Sequence, residues 1–331
     1  MSVKNTAHKN LFRGAVWTIG MRWSMRAIGF VNVLILARLL TPSDFGIVAM
    51  ATIVSGFASS FAEFGAQQLL IRQRDVTRSD IDSAWTVHIL QGLLVASIIF
   101  FSAPYIAVFF KDERLIPVAY WMAVSAIILG FRNIGLTLAR KEMDFALDFR
   151  AQVYTKIIGF FLTLTLVLVL RDYWALVYGQ MATAVVTVLI SYLIHPYRPK
   201  ISFEKLRNYL IFSLSIIPLR IATFGNKKVP LIFVGNIADV AQVGIFNVSN
   251  DLAKMMTGEI AVPLSRGLFP GFAKMNDDMP ALAQAFQKSL AISVAIIAPL
   301  GVGLAVVADD VIPLVLGQQW LDAIVFVKWL S

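Results

Sequence analysis

Apolar runs of about twenty residues and more recur along the whole chain, and they leave few folds open. In hydrocarbon every backbone amide must be paired within the protein, so only helices and closed barrels cross a membrane. Barrel strands read as about ten alternating residues, and these runs are longer and do not alternate. The expectation is an all-α polytopic membrane protein. Composition agrees: 58% of residues are hydrophobic and only 15% charged, where soluble domains run to about a quarter charged. Spans fall near 14–39, 43–70, 85–110, 115–139, 151–170, 173–194, 209–235, 241–265 and 285–307, with a tenth beginning after Asp310. Thr41-Pro42-Ser43-Asp44 supplies an N-cap, a proline at the first helical position and an acid at the third. Thr77-Arg78-Ser79-Asp80 has the spacing of a capping box.

Several function classes drop out. The chain has no cysteine, hence no disulfide, thiol catalysis or zinc-thiolate site. His8, His88 and His195 are far apart and read as unclustered surface or interface groups rather than metal ligands. No metal, cofactor or nucleic acid is expected. The net charge of +9 is spread between spans instead of over one soluble face. The basic start followed by an apolar stretch lacks a small-residue cleavage signal, so it reads as an uncleaved first span.

Lysine and arginine alternate between connections. Lys4, Lys9, Arg13; Arg72, Arg74, Arg78; Arg140, Lys141, Arg150; Arg198, Lys200, Lys205, Arg207; and Arg266, Lys274, Lys288 fall on one side, and only Lys111, Arg114 and Arg171 on the other. The positive-inside rule then places the N-terminus in the cytosol. The outward connections are a few residues long and carry no acid–base cluster, so function resides in the helices and no enzyme is expected.

A weak internal repeat divides the chain. "DFGIVAMA" (44–51) aligns with "QVGIFNVS" (242–249) at an offset of 198, which also carries "VLIL" (33–36) onto "LIFV" (231–234), span three onto span nine, and Arg22 onto Arg220. Six intervening spans preserve orientation, so the repeats are parallel, related by an axis along the membrane normal. The expected architecture is a six-helix lobe, 1–197, and the start of a second, 198–331. By this repeat the second lobe is incomplete and the chain truncated.

Cations within the spans outnumber acids: Arg22, Arg26, Arg38, Arg132, Lys156, Arg220, Lys227, Lys228, Lys254 and Lys328 against Glu63, Asp251, Glu259 and Asp322. A charge at a helix centre costs about 3 kcal/mol even on insertion scales, so the surplus needs a wet cavity, an anion or a route to the interface. Arg38 and Lys156, near span ends, read as snorkelling side chains. Arg132 reads either way, Lys254 has Asp251 three residues before it, and Glu63 lies at the depth of Arg22. Arg26 is about 18 Å into its span and Arg220 about 16 Å into its own, after Pro218. Arg22 and Arg26 share a helix face. Two readings stay open: Arg22, Arg26 and Arg220 line a central cationic cavity between the lobes, or the arginines are buried structural pairs. Lys227 and Lys228, in the outer half of the same span as Arg220, either continue the cationic path outward or snorkel to the outer interface. Glu63, Asp251 and Glu259 are candidates for ion coupling or charge pairing. Guanidinium stays ionised and grips phosphate bidentately, which favours an acidic ligand.

"ILARLLTPSDFGIVAMATIV", "GIFNVSNDLAKMM", "PLSRGLFPGFAKMNDD" and "LVLGQQW" resemble Wzx-type lipopolysaccharide and polysaccharide biosynthesis transporters, in the colanic-acid-like branch of the superfamily that also holds multidrug exporters. The resemblance covers essentially the whole chain. It implies paired six-helix bundles around a cationic cavity, and alternating access that flips an undecaprenyl-diphosphate-linked oligosaccharide across the bacterial inner membrane. Polymerase and export machinery are implied as partners, and Arg22 and Arg26 match the family's basic first-span residues. The rival readings are an ion-coupled drug exporter, which wants buried acids where this chain has cations, a membrane polymerase or ligase, and a non-transporting scaffold.

Overall fold

The computed structural model describes residues 25–60, 65–254, 272, 275 and 279–331. Among them the regular structure is helical: α1 (25–39), α2 (Pro42–Ser60), α3 (Gly65–Arg72), α4 (Arg78–Phe110), α5 (Leu115–Gly130), α6 (Gly135–Lys141), α7 (Phe145–Leu170), α8 (Trp174–Ile194), α9 (Leu206–Ile237), α10 (240–254), α11 (Met279–Val315) and α12 (Ala323–Leu330). Six of these are long and apolar enough to cross a membrane, or seven if the bent pair α5 and α6 is one span. The protein is an all-α, multi-pass membrane protein.

Local chemistry sets the helix ends. At α4 the Thr77 hydroxyl accepts from the Asp80 amide, and the Asp80 carboxylate accepts from the Thr77 amide at 2.9 Å, a complete capping box. Thr41 and Asp44 make the same reciprocal contact at α2, with the Thr41 amide 2.8 Å from the Asp44 carboxylate. Of the three cations expected in outward loops, two, Lys111 and Arg171, cap the C-termini of α4 and α7 in left-handed backbone, φ 57° and 51°. A cation at that position complements the negative end of the helix dipole. The third, Arg114, is paired with Asp112 at 2.7 Å.

Several span boundaries differ from expectation. The expected fourth span bends by 58° between α5 and α6. Asn133 in that break uses its side chain where a helix would use backbone: Oδ1 accepts from the Gly135 amide at 2.8 Å and Nδ2 donates to the Tyr197 carbonyl at 2.7 Å. Arg132 therefore sits in the break between α5 and α6. Further on, α11 runs unbroken through Asp309-Asp310, and Asp309 is met by Lys328 of α12 at 2.7 Å. Finally, Asp144 caps α7 by accepting from the Leu147 amide, so this helix starts at Phe145, six residues before the expected 151.

Internal contacts divide the described residues into two compact units, those up to Leu40 with Ile47–Ala238, and Thr41–Gly46 with Asp239–Ser331. By this division α9 belongs to the first unit, whereas the repeat placed the lobe boundary at 197. In the first unit α4 packs along α5, α5 and α7 along α8, and α3 and α4 against α9. Small residues dominate the contacts, as in a buried cluster of Val54, Ala58, Val95, Ala96, Ile99, Ala103, Ala119 and Ala123. Lipid offers no hydrophobic drive for helices to associate, so close van der Waals approach takes over. At Gly92 that approach is so tight that a Cβ would lie 2.9 Å from the Gly130 Cα. In the second unit Trp320 is fully buried and meets Phe45 edge-on at 5.2 Å.

The segment from His195 to Lys205 is tied down over the start of α4. Asp82 accepts from the Tyr197 hydroxyl at 2.8 Å and the Lys200 amide at 3.0 Å. Thr86 accepts from the Ser202 amide, and Lys205 reaches Asp80 at 2.7 Å. Burial, then the Asp82 carboxylate, push the Tyr197 phenol well above its ordinary range, so it stays a donor. The imidazole of His195 is held below its ordinary 6.5, chiefly by burial. Its Nδ1 accepts from the Tyr197 amide at 3.2 Å, which requires that nitrogen to be unprotonated. A depressed folded pKa contributes stability above 6.5 that is lost as pH falls. Tryptic cleavage after Lys200 in detergent-purified protein, relative to an unstructured reference peptide at the same pH, is therefore expected to speed up severalfold on acidification below 6.5, and the dependence should vanish in His195→Gln.

Candidate functional site

The described cations lie at different depths. Arg26 is in the first described turn of α1, about 20 Å from its C-terminal end at 1.5 Å per residue, and is half-buried. Arg220 is half-buried near the middle of α9, just after Pro218. The Nε atom of each is shielded from solvent. Lys228, also half-buried, is two turns and more beyond Arg220 toward the C-terminal end of α9. All three belong to the first compact unit. Asp251 and Lys254 are exposed on α10 in the second. Arg22, Glu63, Glu259 and the Lys227 side chain lie outside the described residues.

Lys156 was read as a snorkelling residue near a span end. With α7 starting at Phe145 it is instead about 17 Å into the helix. Its ammonium packs against α1 at Gly29, 3.9 Å from where a Cβ on that residue would sit. Gly29 is three residues on from Arg26, on the same helix face. Lys156 thereby joins Arg26 in the first unit as a deep cation. The Asp144 N-cap is the sequence signal that could have located it.

A second feature was missed altogether. A cavity of about 380 Å³ opens inside the first unit, bounded by α2, α3, α4, α5 and α8. Ser55 and Ser59 come from α2 and Gln67 from α3. His88 and Gln91 come from α4, Ser125 from α5, and Gln180, Thr183 and Thr187 from α8, with Arg132 in the α5–α6 break. His88 was expected to be a surface or interface group; it lines this cavity instead, with a buried Nε2. The clue lay in spacing: His88 and Gln91 are three apart, and Gln180, Thr183 and Thr187 recur every turn of α8, so each set shares one helix face.

Comparison with known proteins agrees with this architecture. Residues 35–325 match the model of a family described as polysaccharide biosynthesis protein. The chain belongs to that family. It is 23% identical over 93% of its length to the lipopolysaccharide biosynthesis protein WzxC of Escherichia coli. It is 23% identical over 95% to the succinoglycan biosynthesis transport protein ExoT of Rhizobium meliloti. It is 24% identical over 92% to an uncharacterized membrane protein in the cps region of Klebsiella pneumoniae. The chain spans about 64% of the length of these curated relatives.

Proposed function

We propose that this protein is a flippase, not an enzyme. It moves an undecaprenyl-diphosphate-linked oligosaccharide from the cytosolic to the outer leaflet of the bacterial inner membrane, for exopolysaccharide or lipopolysaccharide assembly. The observation that carries this reading is the set of half-buried cations, Arg26, Lys156 and Arg220, deep within apolar helices of a polysaccharide biosynthesis family member. Fixed guanidiniums at that depth are costly unless an anion or water meets them, and a diphosphate is an anion that two forks can grip. Arg22, Lys227 and Lys228 extend this cationic path, and Glu63, Asp251 and Glu259 are its candidate coupling or pairing acids. Two parallel repeats, 1–197 and 198–331, alternate access around it, with the N-terminus in the cytosol. Reciprocal contacts at an offset of 198 support that repeat: a Cβ on Gly46 would overlap the Val240 carbonyl, and one on Gly244 the Pro42 carbonyl. Polymerase and export machinery would receive the flipped unit.

The test is where lipid-linked repeat units collect in a strain lacking the gene. A flippase defect leaves them in the cytosolic leaflet, inaccessible to a periplasmic glycosidase. Complete but unpolymerised units on the periplasmic face would overturn the reading in favour of a polymerase.

A further inference from the structure

The cavity inside the first unit differs chemically from the cationic path. It is lined by the amides of Gln67, Gln91 and Gln180 and by serine and threonine hydroxyls, and among the described residues no acid lines it. Among the described lining residues, Arg132 brings a full positive charge to the wall. The volume of about 380 Å³ falls within the range of small-molecule sites, ~300–1,000 Å³.

Two groups in this wall want a ligand. Gln67 is only 7% exposed, and its Oε1 is buried without a hydrogen-bond partner. The His88 Nε2 is buried in the same condition on the neighbouring α4. An orphaned polar atom at such a site costs about 1–3 kcal/mol, so a partner gains by binding there. Farther along the wall, Val95, Ile99 and Met122 form an apolar strip. The combination of hydroxyl-matching groups around a rim and an apolar face beside them suits a pyranose. Each sugar hydroxyl both donates and accepts, and so can serve an amide oxygen, an amide NH₂ or either state of a ring nitrogen, while the ring's C–H face lies on aliphatic side chains.

We infer that this cavity is a sugar subsite, which takes one neutral hexopyranose unit of the transported oligosaccharide while the cations hold the diphosphate; the assignment of that sugar to a lipid-linked substrate rests on the flippase reading. His88 is about 15 Å into α4 from Arg78, which under the positive-inside orientation places the subsite in the cytosolic half of the lobe, where the substrate enters.

Saturation-transfer NMR on the purified full chain in detergent tests this, with methyl α-glucopyranoside, methyl β-galactopyranoside and methyl α-mannopyranoside as probes and glycerol as the acyclic control. At least one glycoside is expected to receive saturation, and glycerol none. Gln67→Met removes the orphan acceptor at similar volume and should weaken the signal roughly tenfold. Ala184→Leu leaves every polar group in place and fills the cavity from α8, where Ala184 is only 4% exposed; it should abolish the signal. No transfer to any glycoside overturns the proposal, as does equal transfer to glycerol, or undiminished transfer in a folded Ala184→Leu protein. Glycoside binding in a protein that flips no lipid-linked unit leaves the subsite standing and removes the flippase reading. Wild-type flipping by both variants, without glycoside binding, does the reverse.

Discussion

Glutamine in place of Arg26 or Arg220 lowers flipping of a diphosphate-linked substrate in proteoliposomes by about a hundredfold, with membrane insertion and yield unchanged. The estimate comes from the loss of one partner in a desolvated charge pair, ~2–5 kcal/mol, where each 1.4 kcal/mol is tenfold. Lysine at either position keeps the charge but loses the bidentate fork, and so falls between wild type and glutamine. Lys156→Gln belongs to the same series, because its ammonium reaches α1 one turn from Arg26. The rival reading of the arginines as structural pairs gives the opposite pattern. Removing one charge would then strand a buried acid, and the protein would be lost from the membrane before transport could be measured. Full transport by the triple variant Arg22→Gln/Arg26→Gln/Arg220→Gln sinks the cationic path.

The helical, membrane-spanning character was legible because it follows from a strong signal, long apolar runs that only helices satisfy. The Thr77 and Thr41 caps were legible for the same kind of reason, since side-chain and backbone groups close locally over three residues. The break at Asn133 was not, because it depends on partners far along the chain: Ser191, whose hydroxyl accepts from the Asn133 amide at 3.0 Å, and the Tyr197 carbonyl. Asp309-Asp310 looked like a helix end because its counter-ion, Lys328, sits 19 positions later. The depth of Lys156 was hidden behind a misplaced helix start. The sugar-sized cavity escaped notice for a different reason. Glutamine, serine and threonine scattered at helical spacing barely lower the mean hydropathy of a run, and a cavity exists only once five helices have packed.

Alanine at Gly46 or Gly244 is expected to cost about 3 kcal/mol, the upper end for overpacking, and to lower the melting temperature in detergent by roughly 5–10 °C. The reason is the nature of the obstacle. A new methyl group in most helix contacts meets a side chain that can rotate away. At Gly46 it meets the Val240 carbonyl, and at Gly244 the Pro42 carbonyl, with the Gly46 amide nitrogen 2.8 Å from that same Cβ. Backbone cannot step aside without shifting the start of α2 or α10. Pro42 and Val240, like Gly46 and Gly244, are 198 positions apart, so under the proposed repeat the two clashes are one contact seen from both copies, as in an isologous interface. That symmetry makes the prediction sharper than a stability loss alone. The two single variants should lose similar amounts, and the double variant should lose less than their sum, because either methyl group already pries apart the same crossing. A large loss from one glycine and none from the other would remove this support for the repeat, and with it the reason to treat Arg22 and Arg220 as equivalent positions.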